Sequence, residues 1–205
     1  MAEKILVLTE NLFLGKGKHK ACYIHPEDAS KCVKVPFALP DTDVDRELEY
    51  RGVLEKKCKH PTMLTQYYGT VKTDKGVGYL YELVQDFDGK TSKALKEIFT
   101  NEGLAEKHLG VSELAIMQQF REQWLKECIV TSDTDFVNYF AQRISPNEFV
   151  IRIIDNIGTP ANIPLAYYFD YFARKRARKY WTRLMQRYIN KHCKEEDKAE
   201  AYKLL

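Results

Sequence analysis

The sequence predicts an α+β protein, on three observations. The first ninety residues are a series of short alternating strand patterns punctuated by Gly, Pro and Asp, with one helical stretch among them. Beyond residue 90 the apolar residues take up helical spacing, and two further strand patterns around Ser145-Pro146-Asn147 interrupt that helical half. At 205 residues the chain can form one good core and at most two lobes that share it, divided near residue 89.

In chain order, "NLFL" (11–14), "ACYI" (21–24) and "KCVKV" (31–35) read as strands. Asp41-Thr42-Asp43 then starts a helix through "DVDRELEYRGVLEKKC", where Val44, Leu48, Arg51 and Leu54 fall at helical spacing. "LTQYYGTV" (64–71) and "GYLYELV" (78–84) return to strand, for the order β-β-β-α-β-β. Ser92 is placed to cap a helix that ends at Gly103, and Ser112 to cap one with Leu114, Met117, Trp124, Leu125 and Cys128 on a stripe. A long helix over roughly 165–192 puts Ala173, Ala177, Tyr180, Trp181, Leu184 and Tyr188 on its inner side. Between them, "NYFAQRI" and "EFVIRII" form an antiparallel hairpin. A turn centred on Pro146-Asn147 sets Asn138 opposite Asp155.

Composition narrows the class. With 44% hydrophobic and 30% charged residues the chain is an ordinary globular protein, and a formal charge of +3 gives no argument for a nucleic-acid binder. Five scattered cysteines without a C-x-x-C pair indicate neither a disulfide framework nor a zinc site, and the histidines show no metal-ligand spacing. The apolar run in "MAEKILVLTE" is too short for a signal-peptide core, so cytoplasmic residence is the expectation.

An apolar strand that ends in Asp-Asn, as "FVIRIIDNIGTP" does, must either turn there or hold something polar. Asp133, Asn138 and Asp155 form a constellation that phosphoryl transfer uses. An Asn carbonyl and an Asp carboxylate suit octahedral magnesium, and the upstream Asp133 can orient or deprotonate an attacking hydroxyl. Asp135 competes for that base role, and Asp and Asn are also the ordinary residues where strands end in turns. Gly15 and Gly17 in "LFLGKGKHKACYI" lie between two strands, where backbone N–H groups could approach phosphates or simply make a hairpin turn. Lys34 sits in an apolar strand and needs a partner. Glu47, on the stripe of Tyr50, Arg51 and Leu54, is preferred over Glu49, whether the pair serves a nucleotide or only the fold.

"LGKGKHKACYIHPEDASKCVKV", "YELVQDFDGK" and "VIRIIDNIGTP" together resemble the bacterial YrbL family of PhoP regulatory network proteins, a small protein-kinase-like group, over nearly the whole chain. The resemblance implies a two-lobed protein-kinase-like fold. An N-lobe of antiparallel sheet with one helix (1–89) and a small, mainly helical C-lobe with a β-hairpin (90–205) would make one structural domain around a nucleotide cleft. It matches Gly15 and Gly17 to the phosphate loop, Lys34 to the strand lysine, Glu47 to the helix acid and Glu82 to the hinge that holds adenine. It matches Asp133 to the catalytic aspartate, and Asn138 and Asp155 to the magnesium ligands, with ATP as cofactor.

The chain departs from that pattern where Thr131 and Ser132 replace a His-Arg brace, where Lys20 stands at the third loop glycine, where Gly158 is one place late, and where no A-P-E segment follows. These departures shift the expected acceptor from protein to a small molecule, a lipid or an envelope sugar. They also keep open a pseudokinase that binds nucleotide as a regulatory or scaffold module. A third reading rests on residues 174–194, where nine Lys and Arg occur without an acid. Beyond a solvated face, these could meet a phosphate-bearing ligand, an anionic membrane surface or nucleic acid.

Overall fold

The computed structural model describes residues 5–161 and 163–205. Six strands form one sheet: β1 (Ile5–Leu6), β2 (Phe13–Lys16), β3 (Lys20–His25), β4 (Asp28–Pro36), β5 (Tyr67–Thr73) and β6 (Gly76–Glu82), in the order β1-β5-β6-β4-β3-β2. Its pairings are antiparallel apart from β1 with β5. Alternation along β3 and β4 turns Ala21, Tyr23, Val33 and Val35 to one face, where they pack with Leu6 and Leu8. The other face carries Cys32, Tyr81 and Leu83, and with them Lys34, whose ammonium lies 4.3 Å from the Tyr81 ring centroid.

Helix α1 (Thr42–Lys56) joins β4 to β5. Asp41 caps it, accepting from the Asp43 and Val44 N–H groups at 3.0 and 3.3 Å. Its buried stripe is Val44, Glu47, Tyr50 and Leu54, with Leu48 only partly covered. Tyr50 and Leu54 belong to the main core of the second half, so α1 packs beneath the sheet and into the helices together.

The second half comprises β7 (Lys93–Ala94), α2 (Leu95–Thr100), α3 (Leu104–Leu109), α4 (Glu113–Glu127), β8 (Tyr139–Ser145), β9 (Glu148–Ile153), α5 (Leu165–Tyr168), α6 (Asp170–Lys191) and α7 (Lys198–Tyr202). Strands β7, β8 and β9 make a small antiparallel sheet. Helix α4 packs on β9 and α6 packs on α4, burying Phe120, Trp124, Trp181 and Tyr188. Trp124 and Trp181 each keep a hydrogen-bond partner in the core, donating to the Ala177 and Leu204 carbonyls at 2.8 and 2.6 Å.

Three local expectations change. The turn residues Ser145 and Glu148 pair as the sequence implied, but a bulge at Ile144 shifts the rest of the ladder, so Tyr139 faces Ile153. Asn138 therefore stands opposite Ile154, whose N–H it accepts at 3.0 Å, and not opposite Asp155. Ser92 caps no helix. Its hydroxyl donates to Asp86 at 2.6 Å, and α2 begins after Ala94. Ser112 does cap α4, accepting from the Ala115 N–H at 3.3 Å. The long last helix starts at Asp170, because the backbone at Phe169 is extended and leaves α5 as a separate turn. Strand β1 and helices α3 and α7 were not foreseen: each is six residues or fewer, too short to show a period. No described helix is long and apolar enough to cross a membrane.

Candidate functional site

The candidate residues meet where the six-stranded sheet faces the β8–β9 hairpin. Strand β9 runs out at Ile153, and the chain turns through Asp155 and Asn156, the latter in the left-handed region at φ 60°. That conformation is unfavourable for most side chains and tolerated by Asn. It is held by the Asn156 carbonyl, which accepts from the Thr131 hydroxyl at 2.9 Å, the Ser132 N–H at 2.9 Å and the Ser132 hydroxyl at 3.1 Å. Thr131 and Ser132 thus clamp the Asp155 turn to the Asp133 loop. From α6, Arg176 adds two hydrogen bonds to the Thr131 carbonyl, at 3.2 and 2.9 Å.

Asp133 is fixed by four donors. One carboxylate oxygen accepts from the Thr134 and Asp135 N–H groups at 2.6 and 3.0 Å; the other accepts from the side-chain amides of Asn138 at 2.8 Å and Asn156 at 3.4 Å. Asp135, its competitor, caps the short turn before β8 through the Val137 N–H and lies 3.5 Å from Arg187, away from this cluster.

Lys34 on β4 lies near Asp155 on the turn that follows β9. Lys34 is 6% exposed, and its ammonium donates to the carbonyl of Ile154, the residue before Asp155. Burial opposes its charge, but the Asp155 and Glu47 carboxylates outweigh burial and hold its pKa above the ordinary lysine value. Burial likewise opposes the Asp155 carboxylate. Lys34, Lys20 and the Asn156 N–H outweigh it and keep that pKa below the ordinary value.

Lys20 is the member of this cluster that sequence reasoning missed. It ion-pairs with Asp155 at 2.7 Å, from a position noticed only as a lost glycine. The signal was a lysine at the end of a glycine loop, entering an apolar strand.

Glu47, the expected partner of Lys34, is 2% exposed and bonded to Arg51 at 2.9 Å on its own helix. It acts on Lys34 through its nearby charge, while no ion pair joins the two among the described residues. Glu47 is buried where Glu49 is exposed, but its ion pair is with Arg51 and not with Lys34, the partner the sequence suggested. Glu82 ends β6 with its carboxylate on Arg152 of β9 at 2.5 Å and on the Gln66 N–H at 3.0 Å, so its side chain ties the sheet to the hairpin. Its own N–H goes to the Gln66 carbonyl and that of Leu83 to the Ser30 carbonyl, each at 2.9 Å.

Gly15 lies inside β2, paired with Cys22, while only Gly17 opens the turn, its N–H bonded to the Lys20 carbonyl at 2.9 Å. Neither has a positive φ, and a Cβ would meet nothing within 4 Å at Gly15 and only the Lys20 carbonyl at 3.9 Å at Gly17. The protein itself does not require glycine at these two positions, and the space over them is open.

Two hard oxygens could hold a divalent cation. Asn138 spends its amide N–H on Asp133, leaving its side-chain carbonyl with no donor among the described residues, and the second Asp155 oxygen is likewise without one. Among the described residues no group of three or more His, Cys, Asp or Glu side chains converges as a metal site. A pair of oxygens that leaves most coordination positions to water and substrate phosphates is the way magnesium is commonly held.

The chain matches the family described as "PhoP regulatory network protein YrbL" over residues 6–189. It is similar to the "Uncharacterized protein YrbL" of Escherichia coli (strain K12) and to that of Shigella flexneri, each 34% identical over 181 residues, covering 87% of this chain and 85% of the relative. This protein therefore belongs to the YrbL family of PhoP regulatory network proteins.

Proposed function

We propose that this chain is an ATP- and magnesium-dependent phosphotransferase of protein-kinase-like fold, acting on a small molecule, a lipid or an envelope sugar rather than on a protein. The observation that carries the proposal is the burial of Lys34 between the Glu47 charge and the Asp155 turn, with Asp133 fixed beside Asn138 at 2.8 Å. A lysine kept charged while buried, beside an acid that has a free oxygen, suits a nucleotide's phosphates.

In this reading Lys34 and the open backbone over Gly15 and Gly17 bind the phosphates, and the Glu82 segment lies at the base's end of the cleft. The side-chain oxygens of Asn138 and Asp155 would hold magnesium, which would supply charge neutralisation for the nucleotide. Asp133 orients the acceptor hydroxyl and takes its proton while the terminal phosphoryl group passes to that oxygen and ADP leaves. Thr131, Ser132 and Arg176 supply the bracing that the absent His-Arg pair would give, which weakens the sequence argument for lost chemistry.

Thermal shift with ATP and magnesium, together with transfer of labelled phosphate, tests the proposal. A raised melting temperature and a transfer rate lost in Asp133→Ala but kept in the exposed-surface variant Lys96→Gln support it. No response to ATP, with or without magnesium, overturns it. The second reading, a nucleotide-binding regulatory module without turnover, draws on the Lys20–Asp155 ion pair, which already engages one oxygen of the proposed metal ligand. It predicts ATP binding that is indifferent to magnesium and no transfer.

A further inference from the structure

The chain leaves a run of large apolar side chains uncovered around α5 and the start of α6. Ile163, Tyr168, Phe169 and Tyr171 are 75%, 58%, 56% and 69% exposed, and Leu165 and Phe172 are also exposed. The rings form a cluster, with Phe169–Phe172 centroids 6.2 Å apart and Tyr171–Phe172 centroids 5.3 Å apart. Six large exposed hydrophobics within ten residues is a patch, not the scatter that any surface shows.

The cations next to it face solvent. Arg174, Lys175, Arg178 and Lys179 are exposed and make no hydrogen bond or ion pair with any described residue. The one acid in α6, Asp170, is paired with Lys59 at 3.0 Å. Helical spacing stacks Phe172, Lys175 and Lys179 along one side, where with Thr159, Ile163 and Leu165 they line a cavity of about 280 Å³. Tyr171, Arg174 and Arg178 follow the next row.

We infer that the α5–α6 elbow and the first turns of α6 dock the protein on an anionic phospholipid bilayer. The aromatic cluster would sit at headgroup depth, with the four cations above it against lipid phosphates. Tyr and Phe beside Lys and Arg match the two layers of a bilayer interface, apolar below and anionic above. Charge complementarity selects this occupant over a second copy of the chain, because a two-fold interface here would set unpaired cations against cations. A bilayer also has no need of a matching groove. The cavity by Lys175 and Lys179 would then open toward the lipid surface from the same loop that follows the Asp155 turn.

Flotation of the whole chain with vesicles tests this without nucleotide, so its outcome is separate from that of the phosphotransfer reading. Vesicles of phosphatidylcholine alone should leave the protein in solution; equal parts of phosphatidylcholine and phosphatidylglycerol should carry it up, less as salt rises from about 50 to about 500 mM. The double variants Lys175→Gln/Lys179→Gln and Phe169→Ser/Tyr171→Ser should each weaken partitioning about tenfold or more, and Lys96→Gln/Lys107→Gln should not. All six positions are exposed, and an unchanged melting temperature shows that the variants fold. The inference is overturned if phosphatidylglycerol makes no difference, or if the aromatic pair can be removed without loss. It is overturned equally if sedimentation shows a dimer that the same substitutions abolish, or if duplex DNA binds the face more tightly than the vesicles do.

Discussion

The ammonium of Lys20 lies 2.7 Å from a carboxylate oxygen of Asp155, joining residues 135 positions apart in the chain. Both side chains are more than four-fifths covered, so the pair is shielded from solvent more than a surface ion pair is. Asp155 is held below its ordinary pKa by its two lysines against burial, so its stabilising effect is present above the unfolded value and is lost as pH falls through the folded one. Lys20→Met should lower stability by about 1–2 kcal/mol at neutral pH. The difference from the parent should shrink toward zero as pH drops below the ordinary carboxylate value of 3.8. Urea unfolding at a series of pH values reads this directly, and a difference that persists unchanged in acid would refute it.

Lys34 offers a contrast. Removing one partner of a buried ion pair usually costs about 3–5 kcal/mol, because the other charge is stranded. Here Asp155 keeps Lys20 and Glu47 keeps Arg51. Lys34→Met should therefore fold with a loss under about 2 kcal/mol while losing the thermal response to ATP. Denaturation curves and the ATP shift, measured on one sample, separate the two effects.

Glycine is required at Gly158 and not at Gly17. Gly158 has φ +88°, and a Cβ there would come within 2.7 Å of the Tyr167 hydroxyl and 3.0 Å of the Arg46 backbone carbonyl. Left-handed strain and overpacking together predict a loss of about 2–4 kcal/mol for Gly158→Ala. Gly17→Ala meets only the Lys20 carbonyl at 3.9 Å and should stay within about 0.5 kcal/mol of the parent. If Gly17 serves nucleotide phosphates, the same substitution weakens ATP binding. Calorimetric melting and ATP titration check the two sites.

Arg176 should control the order of the Asp133 loop. Its two hydrogen bonds to the Thr131 carbonyl and a third to the Tyr180 hydroxyl at 3.0 Å link α6 to that loop. Arg176→Ala should speed amide exchange at Ser132 and Asp133, with a global loss of about 1.5–3 kcal/mol. Exchange that accelerates evenly along the chain would show a stability effect alone.

Glu113, at the first turn of α4, has one carboxylate oxygen buried without a partner, and burial pushes its pKa up to about 7. A raised folded value means that the native state prefers the proton, so stability declines as pH rises from the ordinary 4.5 through about 7. Glu113→Gln should raise the melting temperature at pH values above that range and leave it little changed below. Equal shifts on both sides would count against the assigned cause.

Much of the architecture was legible because the responsible contacts are local. Alternation marks β3 and β4, Asp41 and Ser112 cap the helices they precede, and helical spacing puts Glu47 on the buried side of α1. The apolar run around Lys34 already required a partner for its charge. What required the tertiary structure is contact between distant segments. Lys20 was a missing glycine until folding set it against Asp155, and Ser92 was a helix cap until Asp86 claimed its hydroxyl. A single bulge at Ile144 moved Asn138 from opposite Asp155 to opposite Ile154. Local patterns record which face a residue takes. They do not record which remote partner meets it there, since that is decided by how the sheet, hairpin and helices pack to bury one shared core.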